Sequence, residues 1–188
     1  MWTSTNRDCG INDENGKEII MNNIHLEKLT WDTVDDVLKL KVSKEQKGFV
    51  APNRDSMIDA YFALTEKKFP VYTFGIYLGE KPVGFLMIGF NEAACYEDGF
   101  DVKPPEILKN NYSIWRLMID KRYQGRGYGR EAIRLALDFI RTWPCGKAEF
   151  CSLSYEPENE VAGALYRSCG FAENGELDGD EIVAVLKL

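Results

Sequence analysis

The chain has 188 residues, 45% of them hydrophobic and 28% charged, which is typical of one globular domain and unlike a disordered protein. No apolar run reaches the roughly 18 to 20 residues of a membrane span, and the polar first residues lack the apolar core of a secretory signal. The formal net charge is −7 and no basic patch is visible, which argues against nucleic acid as a partner. We therefore expect a cytoplasmic protein that binds neither membranes nor nucleic acid.

Cysteine and histidine usage argues against a metal site and against a disulfide framework. The cysteines are scattered, none forms a C-x-x-C pair, and the chain has a single histidine. Structural zinc sites need clustered Cys and His ligands, whereas disulfide frameworks use paired cysteines. We therefore expect reduced thiols and no metal cofactor. The residues concerned are Cys9, Cys95, Cys145, Cys151, Cys169 and His25.

The first third of the chain predicts an extension, one strand and two helices. Residues 1–21 are rich in Asn, Asp and Gly and show no helix or strand period, so we expect a disordered extension there. Residues 22–29 are typical of a strand, and Thr30 can cap a helix that runs to about residue 41. Ser56 and Asp59 resemble a capping box that opens a second helix through residue 67. The apolar inner face predicted for this helix consists of Met57, Tyr61 and Leu64.

The rest of the chain predicts a sheet with two more helices. Residues 71–78 and 83–90 are β-rich runs around a hairpin turn, and residues 91–111 form a polar loop that is long for a compact domain. Further strands are expected at 112–120, 148–154, 171–176 and 181–188, and helices at 130–143 and 159–168. The inner face of the first of these helices consists of Ile133, Ala136, Leu137 and Ile140. This order predicts one α/β (α+β), three-layer domain over residues 22–188 with a mixed sheet.

A glycine-rich turn between a strand and a helix points to a phosphate-binding loop. Gly125, Gly127 and Gly129 alternate immediately before the predicted helix. Alternate glycines let successive backbone N–H groups face one point, and a helix N-terminus adds partial positive charge. The spacing differs from the G-x-G-x-x-G of dinucleotide-binding folds, and no Gly-Lys-Ser/Thr of a P-loop is present. A pyrophosphate cradle of another kind fits the pattern, as does a glycine-rich turn without function.

Two motifs give the chain a resemblance to the GNAT N-acetyltransferases. Gln124-x-x-Gly127-x-Gly129 resembles the Q/R-x-x-G-x-G/A loop that holds the pyrophosphate of acetyl-coenzyme A (acetyl-CoA) in that family. At the family's usual distance downstream, the chain resembles the stretch N-x-x-A-x-x-L-Y-x-x-x-G-F. The resemblance implies a GNAT-type sheet, mixed but mostly antiparallel, with flanking helices and a splayed central strand pair. The residues that match the second stretch are Asn159, Ala162, Leu165, Tyr166, Gly170 and Phe171.

Further segments resemble the bacterial spermine/spermidine N-acetyltransferases of that superfamily, from about residue 22 to the C-terminus. This resemblance implies transfer of an acetyl group from acetyl-CoA to a primary amine by direct attack, with a polyamine such as spermidine or spermine as the first candidate. Members of one superfamily often act on different substrates, so a substrate cannot be assigned from the resemblance alone and two alternatives stay open. One is another acceptor, namely an aminoglycoside, an amino acid or a protein N-terminus, and the other is a non-catalytic acyl-CoA sensor. The segments are residues 46–53, 115–120, 123–129, 154–157 and 178–183.

The resemblance also implies roles for individual residues. Tyr166 would protonate the departing thiolate, and Asn159 would contact the pantetheine arm. Backbone groups of residues 117–119 would pair with that arm, and one of their N–H groups would polarise the thioester carbonyl. Dimers are common in the family, so the resemblance leaves a homodimer open, although no sequence feature indicates an interface. The cofactor-binding residues implied are Leu117, Met118, Ile119, Gln124, Gly125, Arg126, Gly127, Tyr128, Gly129, Arg130 and Asn159.

The general base does not follow from the resemblance. Many GNAT enzymes place a glutamate on the strand before the glycine-rich loop, where this chain has Trp115 and Arg116. An alkylamine with a pKa of about 10.4 is mostly protonated at pH 7 and must lose a proton before it attacks. We expect a water chain to Glu156, which could also hold a distal ammonium group or be a solvated loop charge. Glu92 and Glu97, on the long loop, are candidates to line the entrance for a cationic substrate.

Overall fold

The computed structural model describes residues 11–12, 18–19, 24–67, 69–96 and 103–188. Its strands are β1 (Ile11–Asn12), β2 (Glu18–Ile19), β3 (Ile24–Lys28), β4 (Val71–Leu78), β5 (Lys81–Phe90), β6 (Tyr112–Ile119), β7 (Phe150–Tyr155), β8 (Ala172–Asp178) and β9 (Glu181–Lys187). Its α-helices are α1 (Val34–Leu38), α2 (Asn53–Phe62), α3 (Tyr128–Ile140) and α4 (Glu160–Ser168). A π-helical segment follows α2 at Ala63–Lys67, and 3-10 helices lie at Glu92–Tyr96 and Glu106–Leu108.

Most of the predicted extension over residues 1–21 lies outside the described residues. Its described part is the antiparallel pair of β1 and β2, in which Ile11 lies opposite Ile19. The polar composition did not predict this pairing, and the disorder expected for the remaining residues stays a prediction. The strand expected at 22–29 is present as β3, and it pairs with β4.

Strands β3 to β9 form one mixed sheet in the order β3-β4-β5-β6-β7-β9-β8. Five of the six neighbouring pairs are antiparallel, and the pair of β6 and β7 is parallel. A parallel pair needs a long crossover connection, and the segment that contains α3 provides it. The mixed, mostly antiparallel sheet that the sequence analysis predicts is confirmed.

The central strands β6 and β7 pair over two residues and then diverge. Their ladder ends at the pair of Ser113 and Ser152, although β6 continues for six more residues to Ile119. On its other side, the register of β6 with β5 shifts so that Trp115 becomes the extra residue of a β-bulge. A bulge bends its strand, so β6 turns away from β7 and exposes backbone groups to the gap between them. The predicted splayed strand pair is confirmed.

Helices cover both faces of the sheet and give the predicted three layers. α3 and α4 pack on one face, and α1 and α2 pack on the other around the fully buried Val37. β5 is buried on both faces because its alternate residues belong to the two opposite clusters. The amphipathic period correctly predicts the inner face of α3, since its buried residues include Ile133, Ala136, Leu137 and Ile140.

The inner face predicted for the second helix is wrong. Tyr61 and Leu64 are 62% and 52% exposed, and Met57 alone of the predicted set packs against the core. α2 begins three residues before the expected capping box and has Pro52 at its N-cap. Small or polar side chains let the helix approach the sheet closely, and an apolar periodicity does not reveal such a face. The buried residues of α2 and the following turn are Asn53, Ser56, Ala60 and Ala63.

A glycine permits the close approach of β5 and β6. Gly84 lies opposite Ile119, at the end of β6 that leads into the glycine-rich turn. A Cβ atom at residue 84 would lie 2.5 Å from the carbonyl oxygen of Met118 and 2.9 Å from the Cδ1 atoms of Ile119 and Ile76. Because one of these neighbours is backbone, it cannot rotate aside. Gly84 therefore fixes the position of the strand segment that borders the splay.

We predict that Gly84→Ala lowers the free energy of unfolding by about 1–3 kcal/mol, because overpacking forces the backbone of β5 and β6 apart. Urea unfolding followed by circular dichroism measures the loss. Gly48→Ala is the matched control, since a Cβ atom there meets nothing within 4 Å. Its stability should stay within about 0.5 kcal/mol of the parent protein. Equal stability of the two variants would contradict the close approach.

Candidate active site

The divergence of β6 and β7 opens a cleft of about 520 Å³. β6 forms one wall, β7 and the start of α4 form the other, and the glycine-rich turn lies at one end. The segment between α1 and α2 covers part of it through Val42, Gln46, Phe49 and Val50. The two sequence motifs therefore meet at one place. The predicted residues that line the cleft are Leu117, Met118, Ile119, Gln124, Gly125, Gly127, Tyr128, Gly129, Arg130, Asn159 and Tyr166.

The glycine-rich turn leaves the N-terminus of α3 open. Gly125 and Gly127 have φ angles of 74° and 82°, in the left-handed region that glycine adopts without strain. Gly127 is the N-cap of α3, and no described side chain caps this helix. A Cβ atom at either glycine would meet nothing within 4 Å. The first N–H groups of the helix therefore face open space with the partial positive charge of the helix end, which suits a pyrophosphate.

Asp120 anchors this turn at the end of β6. Its carboxylate, 2% exposed, accepts hydrogen bonds from the backbone N–H groups of Lys41 and Arg122, each at 3.0 Å, and from the Arg122 Nε at 2.8 Å. Burial acts to raise the pKa of Asp120, but these donors outweigh it and hold the pKa below its usual value. The turn is thus tied both to β6 and to the segment that follows α1.

Two side chains of the turn have structural contacts. Gln124 Nε2 donates hydrogen bonds to the carbonyl oxygen of Ile119 at 2.8 Å and to Gln46 Oε1 at 3.0 Å, which braces the turn against β6. Tyr128 is 3% exposed and packs in the core. The backbone N–H of Tyr128 is therefore the group that this residue can offer to a ligand.

The two arginines predicted to bind the cofactor differ in their positions. Arg130 lines the cleft, and its Nη1 donates a hydrogen bond to the carbonyl oxygen of Ser168 at 3.0 Å. Arg126 does not line the cleft, because its side chain lies over the ring of Tyr123, with 5.8 Å between its Cζ and the ring centroid. The structure thus brings one of the two guanidinium groups to the site.

α4 contributes Asn159 and Tyr166. Asn159 is the N-cap of α4, and its Oδ1 accepts a hydrogen bond from the Ala162 N–H at 3.2 Å. The Tyr166 ring lies 5.6 Å from the Tyr155 ring between centroids. Burial, and then the charge of Glu181, raises the pKa of Tyr166 to about 12. The phenol therefore keeps its proton at neutral pH and is able to donate it.

Beside the cleft, three carboxylates interact with the Arg116 guanidinium, and two more interact with one of those three. Arg116 Nη2 lies 3.7 Å from an Asp59 oxygen, and the Arg116 charge lowers the pKa of two other members of the group. Asp178 and Glu181 are opposite each other in the hairpin of β8 and β9. The resulting excess of negative charge suits a cationic ligand. We call these carboxylates the acidic cluster: Asp59, Glu92, Glu156, Asp178 and Glu181.

Glu92 is the most buried member of the acidic cluster. It is 6% exposed and follows β5 on a 3-10 helix. Burial raises its pKa to about 7; the charges of Asp178 and Glu181 act in the same direction, whereas the nearby Ser113 hydroxyl and Arg116 act against the rise. Ser113 Oγ is shielded from solvent and lies near enough to Glu92 to favour its ionised form, but it makes no well-aligned hydrogen bond in the part of the chain that the structure describes. Buried polar groups normally have partners, so this place suits an ammonium group.

Two members of the acidic cluster were predicted from the sequence, and three were not. Glu92 and Glu156 were predicted, and both lie beside the cleft rather than in its lining. The third predicted carboxylate, Glu97, lies outside the described residues. Asp178 and Glu181 lie on either side of the turn between β8 and β9, so the register of that hairpin was the signal that could have paired them. No pattern in the sequence indicated that Asp59 belongs to the acidic cluster.

Within the described residues, no group of three or more His, Cys, Asp and Glu side chains could hold a metal ion. No described helix is long and apolar enough to cross a membrane. The described cysteines, namely Cys95, Cys145, Cys151 and Cys169, are free thiols.

Comparison with known proteins identifies the family. Residues 36–171 match the acetyltransferase (GNAT) family. The chain belongs to this family. It is 30% identical over 159 residues to the spermine/spermidine N(1)-acetyltransferase of Bacillus subtilis (strain 168). The aligned region covers 82% of this chain and 91% of that relative.

Solved GNAT structures share the fold at low sequence identity. An aminoglycoside acetyltransferase in complex with coenzyme A superposes with a TM-score of 0.67 and is 15% identical in sequence. The superposed region covers 88% of this chain and 95% of the aminoglycoside acetyltransferase. The PaiA N-acetyltransferase of Thermoplasma acidophilum, also in complex with coenzyme A, superposes with a TM-score of 0.59 and is 14% identical in sequence. The superposed region covers 88% of this chain and 99% of the PaiA chain. The predicted GNAT fold and the predicted acetyl-CoA-dependent N-acetyltransferase are thereby confirmed.

We predict that Gly127→Ala weakens coenzyme A binding about tenfold or more, because a left-handed φ strains alanine by about 1–3 kcal/mol and relaxation turns the N–H groups away. Isothermal titration calorimetry measures the affinity. Gly179→Ala is the matched control: its φ is 61°, its Cβ would also meet open space, and it lies in the β8–β9 turn. That variant should lose similar stability and keep its affinity. Equal loss of affinity in both would contradict the cradle.

Proposed function

We propose that this GNAT enzyme transfers the acetyl group of acetyl-CoA to a primary amine of a polyamine such as spermidine or spermine. The acidic cluster carries the proposal, because it brings five electrostatically connected carboxylates beside the cleft and a single guanidinium, that of Arg116, interacts with three of them. A polyamine bears several ammonium groups separated by short alkyl chains. One amine can therefore enter the cleft while another stays on a carboxylate. The similarity to a relative that is named a spermine/spermidine acetyltransferase supports the same conclusion.

Glu92 is the carboxylate that best suits a distal ammonium group. Its pKa of about 7, against an ordinary value of 4.5, corresponds to roughly 3 kcal/mol that disfavours its charge. A bound cation reverses this balance, since an opposite charge nearby favours the ionised carboxylate. Ser113, whose Oγ makes no well-aligned hydrogen bond among the described residues, can accept a further N–H of the same ammonium. Binding and ionisation of Glu92 are then coupled.

An aminoglycoside is the second candidate, because it is also a polycation and an aminoglycoside acetyltransferase shares the fold. That likeness concerns the fold alone, whereas the similarity to the polyamine enzyme extends over most of both sequences. An amino acid fits less well, since its carboxylate would meet the acidic cluster. A protein N-terminus offers a single ammonium group, which leaves the other carboxylates without a partner.

The residues of the cleft divide the chemistry between them. The N–H groups of residues 125–130 would bind the pyrophosphate, and the free edge of β6 at residues 117–119 would pair with the pantetheine arm. One N–H of that edge would polarise the thioester carbonyl. The acetyl thioester supplies an electrophilic carbonyl and a thiol leaving group. Tyr166 would protonate the departing thiolate, because its raised pKa keeps the phenol protonated at neutral pH. A cytoplasmic location and a homodimer stay predictions of the sequence analysis.

Release of coenzyme A thiol, measured with spermidine, spermine, putrescine, kanamycin and a peptide with a free N-terminus as acceptors, tests the substrate class. We predict that spermidine and spermine give the highest kcat/KM, because only a flexible polycation places one amine in the cleft and another on Glu92. Turnover of kanamycin or the peptide without turnover of the polyamines would overturn the proposal while leaving the acetyltransferase intact.

Glu92→Gln should stabilise the protein and impair its use of polyamines. The folded pKa of Glu92 lies above the unfolded value, so the folded state loses stability as the pH rises from about 4.5 to 7. A glutamine does not ionise. The variant should therefore match the parent near pH 4.5 and exceed its free energy of unfolding by up to about 3 kcal/mol at pH 8, while kcat/KM for spermidine falls about tenfold or more.

Thermal unfolding from pH 4.5 to 8 and steady-state kinetics measure the two effects of Glu92→Gln. The control is Glu80→Gln, at an exposed carboxylate in the turn between β4 and β5. It should change neither quantity. Stabilisation without loss of polyamine turnover would show that Glu92 is buried for another reason and does not bind the acceptor.

A further inference from the structure

Ser154 lies between the cleft and Glu181. It lines the cleft on β7, two residues beyond Ser152, where the ladder with β6 ends. Its Oγ donates a hydrogen bond to Glu181 Oε2 on the neighbouring strand β9. A hydroxyl in this position can accept a proton from a group in the cleft and pass its own proton to the carboxylate behind it.

Glu181 is also electrostatically coupled to the rest of the site. Burial raises its pKa, the Ser154 hydroxyl and Arg116 lower it, and Asp178 and Glu156 raise it. Its charge in turn raises the pKa of Tyr166, which places this carboxylate near the predicted acid. The groups that face Glu181 are Asp178 on β8, Ser154 and Glu156 on and after β7, Arg116 on β6, Glu92 after β5, and Tyr166 on α4.

We propose that Ser154 and Glu181 form a proton relay that deprotonates the acceptor amine. The relay supplies the base that β6 lacks, since Trp115 and Arg116 stand where many GNAT enzymes have a glutamate. It serves the acetyl transfer to any primary amine. It therefore does not depend on the polyamine proposal and can be tested with the best acceptor of the panel above, whichever that is.

The relay balances the protons of the reaction. The acceptor ammonium gives a proton to Ser154 Oγ, while the Ser154 hydroxyl proton moves to Glu181. The free amine then forms a C–N bond to the thioester carbonyl carbon, and the C–S bond breaks as the tetrahedral adduct collapses. Tyr166 protonates the thiolate, and the positively charged amide nitrogen returns a proton to the phenolate. Glu181 releases its proton to solvent, so the net products are the amide, the thiol and one proton.

The other carboxylates are less well placed for this step. Glu156, which the sequence analysis preferred, does not line the cleft, and among the described residues no hydrogen bond connects its carboxylate to a residue that does. Glu92 also lies outside the lining, and it interacts with Ser113 at the start of the splay rather than beyond it. Among the described residues, Glu181 is the member of the acidic cluster whose carboxylate is hydrogen-bonded to a cleft residue.

Two variants, Ser154→Ala and Glu181→Gln, test the relay through their pH profiles. We expect kcat/KM for the best amine to fall about 10²- to 10³-fold at pH 7 in each, because the ammonium loses its proton acceptor. The deficit should then shrink about tenfold per pH unit up to pH 10, since the fraction of free amine rises at that rate below its pKa of about 10.4. The KM for acetyl-CoA should stay within threefold of that of the parent.

Two further variants separate the relay from a structural role. Ser152→Ala removes a hydroxyl on the same strand and face, whose Oγ donates to the Tyr112 carbonyl oxygen, and it should keep the parent profile. Tyr166→Phe removes the leaving-group acid, and its deficit should stay constant with pH. If Glu181→Gln does not fold, Ser154→Ala and Glu181→Asp carry the test, because the shorter carboxylate should retain part of the activity at pH 7.

Three results would overturn the relay. The first is kcat/KM within threefold of the parent in Ser154→Ala and Glu181→Gln at pH 7. The second is a deficit in both that does not change between pH 7 and 10, which would indicate misplacement of other groups. The third is a double variant whose loss at pH 7 is the product of the two single losses, because members of one relay should not act independently.

Discussion

The site depends on keeping two neighbouring strands apart. Strands in a sheet gain hydrogen bonds by pairing, so an open edge inside the domain leaves backbone groups without partners. Here the bulge at Trp115 bends β6, and the close packing at Gly84 holds its far end against β5. Both features resist closure of the gap toward β7. The substrate arm can then supply the hydrogen bonds that β7 would otherwise make, and the sheet itself becomes the recognition element.

The two buried carboxylates Asp120 and Glu92 differ in the direction of their pKa shifts. Asp120 is buried, but its carboxylate accepts several hydrogen bonds, which stabilise the ionised form. The same hydrogen bonds hold the glycine-rich turn in place. Glu92 is buried with few favourable partners, and burial keeps its pKa near neutrality. The first arrangement is typical of a structural carboxylate, and the second is typical of a binding or catalytic group. The acidic cluster thus stores unfavourable free energy that a cation would release.

Local motifs predicted the glycine-rich end of the cleft, whereas long-range pairing determined the acidic side. The glycine-rich turn, Asn159 and Tyr166 belong to short patterns, and the amphipathic period predicted α3 well. Ser154 and Glu181 are 27 residues apart and meet because of the β7–β9 register, which no local pattern reveals. Arg126 lies within the motif, yet its side chain lies over Tyr123 and does not line the cleft. The inner face of α2 was missed because it consists of small and polar residues.

The cradle around the N-terminus of α3 consists of main-chain N–H groups, whereas the acceptor side consists of side chains. Every residue except proline has the same main-chain N–H group, so the cradle tolerates many substitutions provided that the glycines remain. A point mutation changes a carboxylate outright and leaves the cradle untouched. A change of acceptor would therefore need only a few side-chain substitutions in the acidic cluster, whereas the main-chain cradle would not need to be rebuilt.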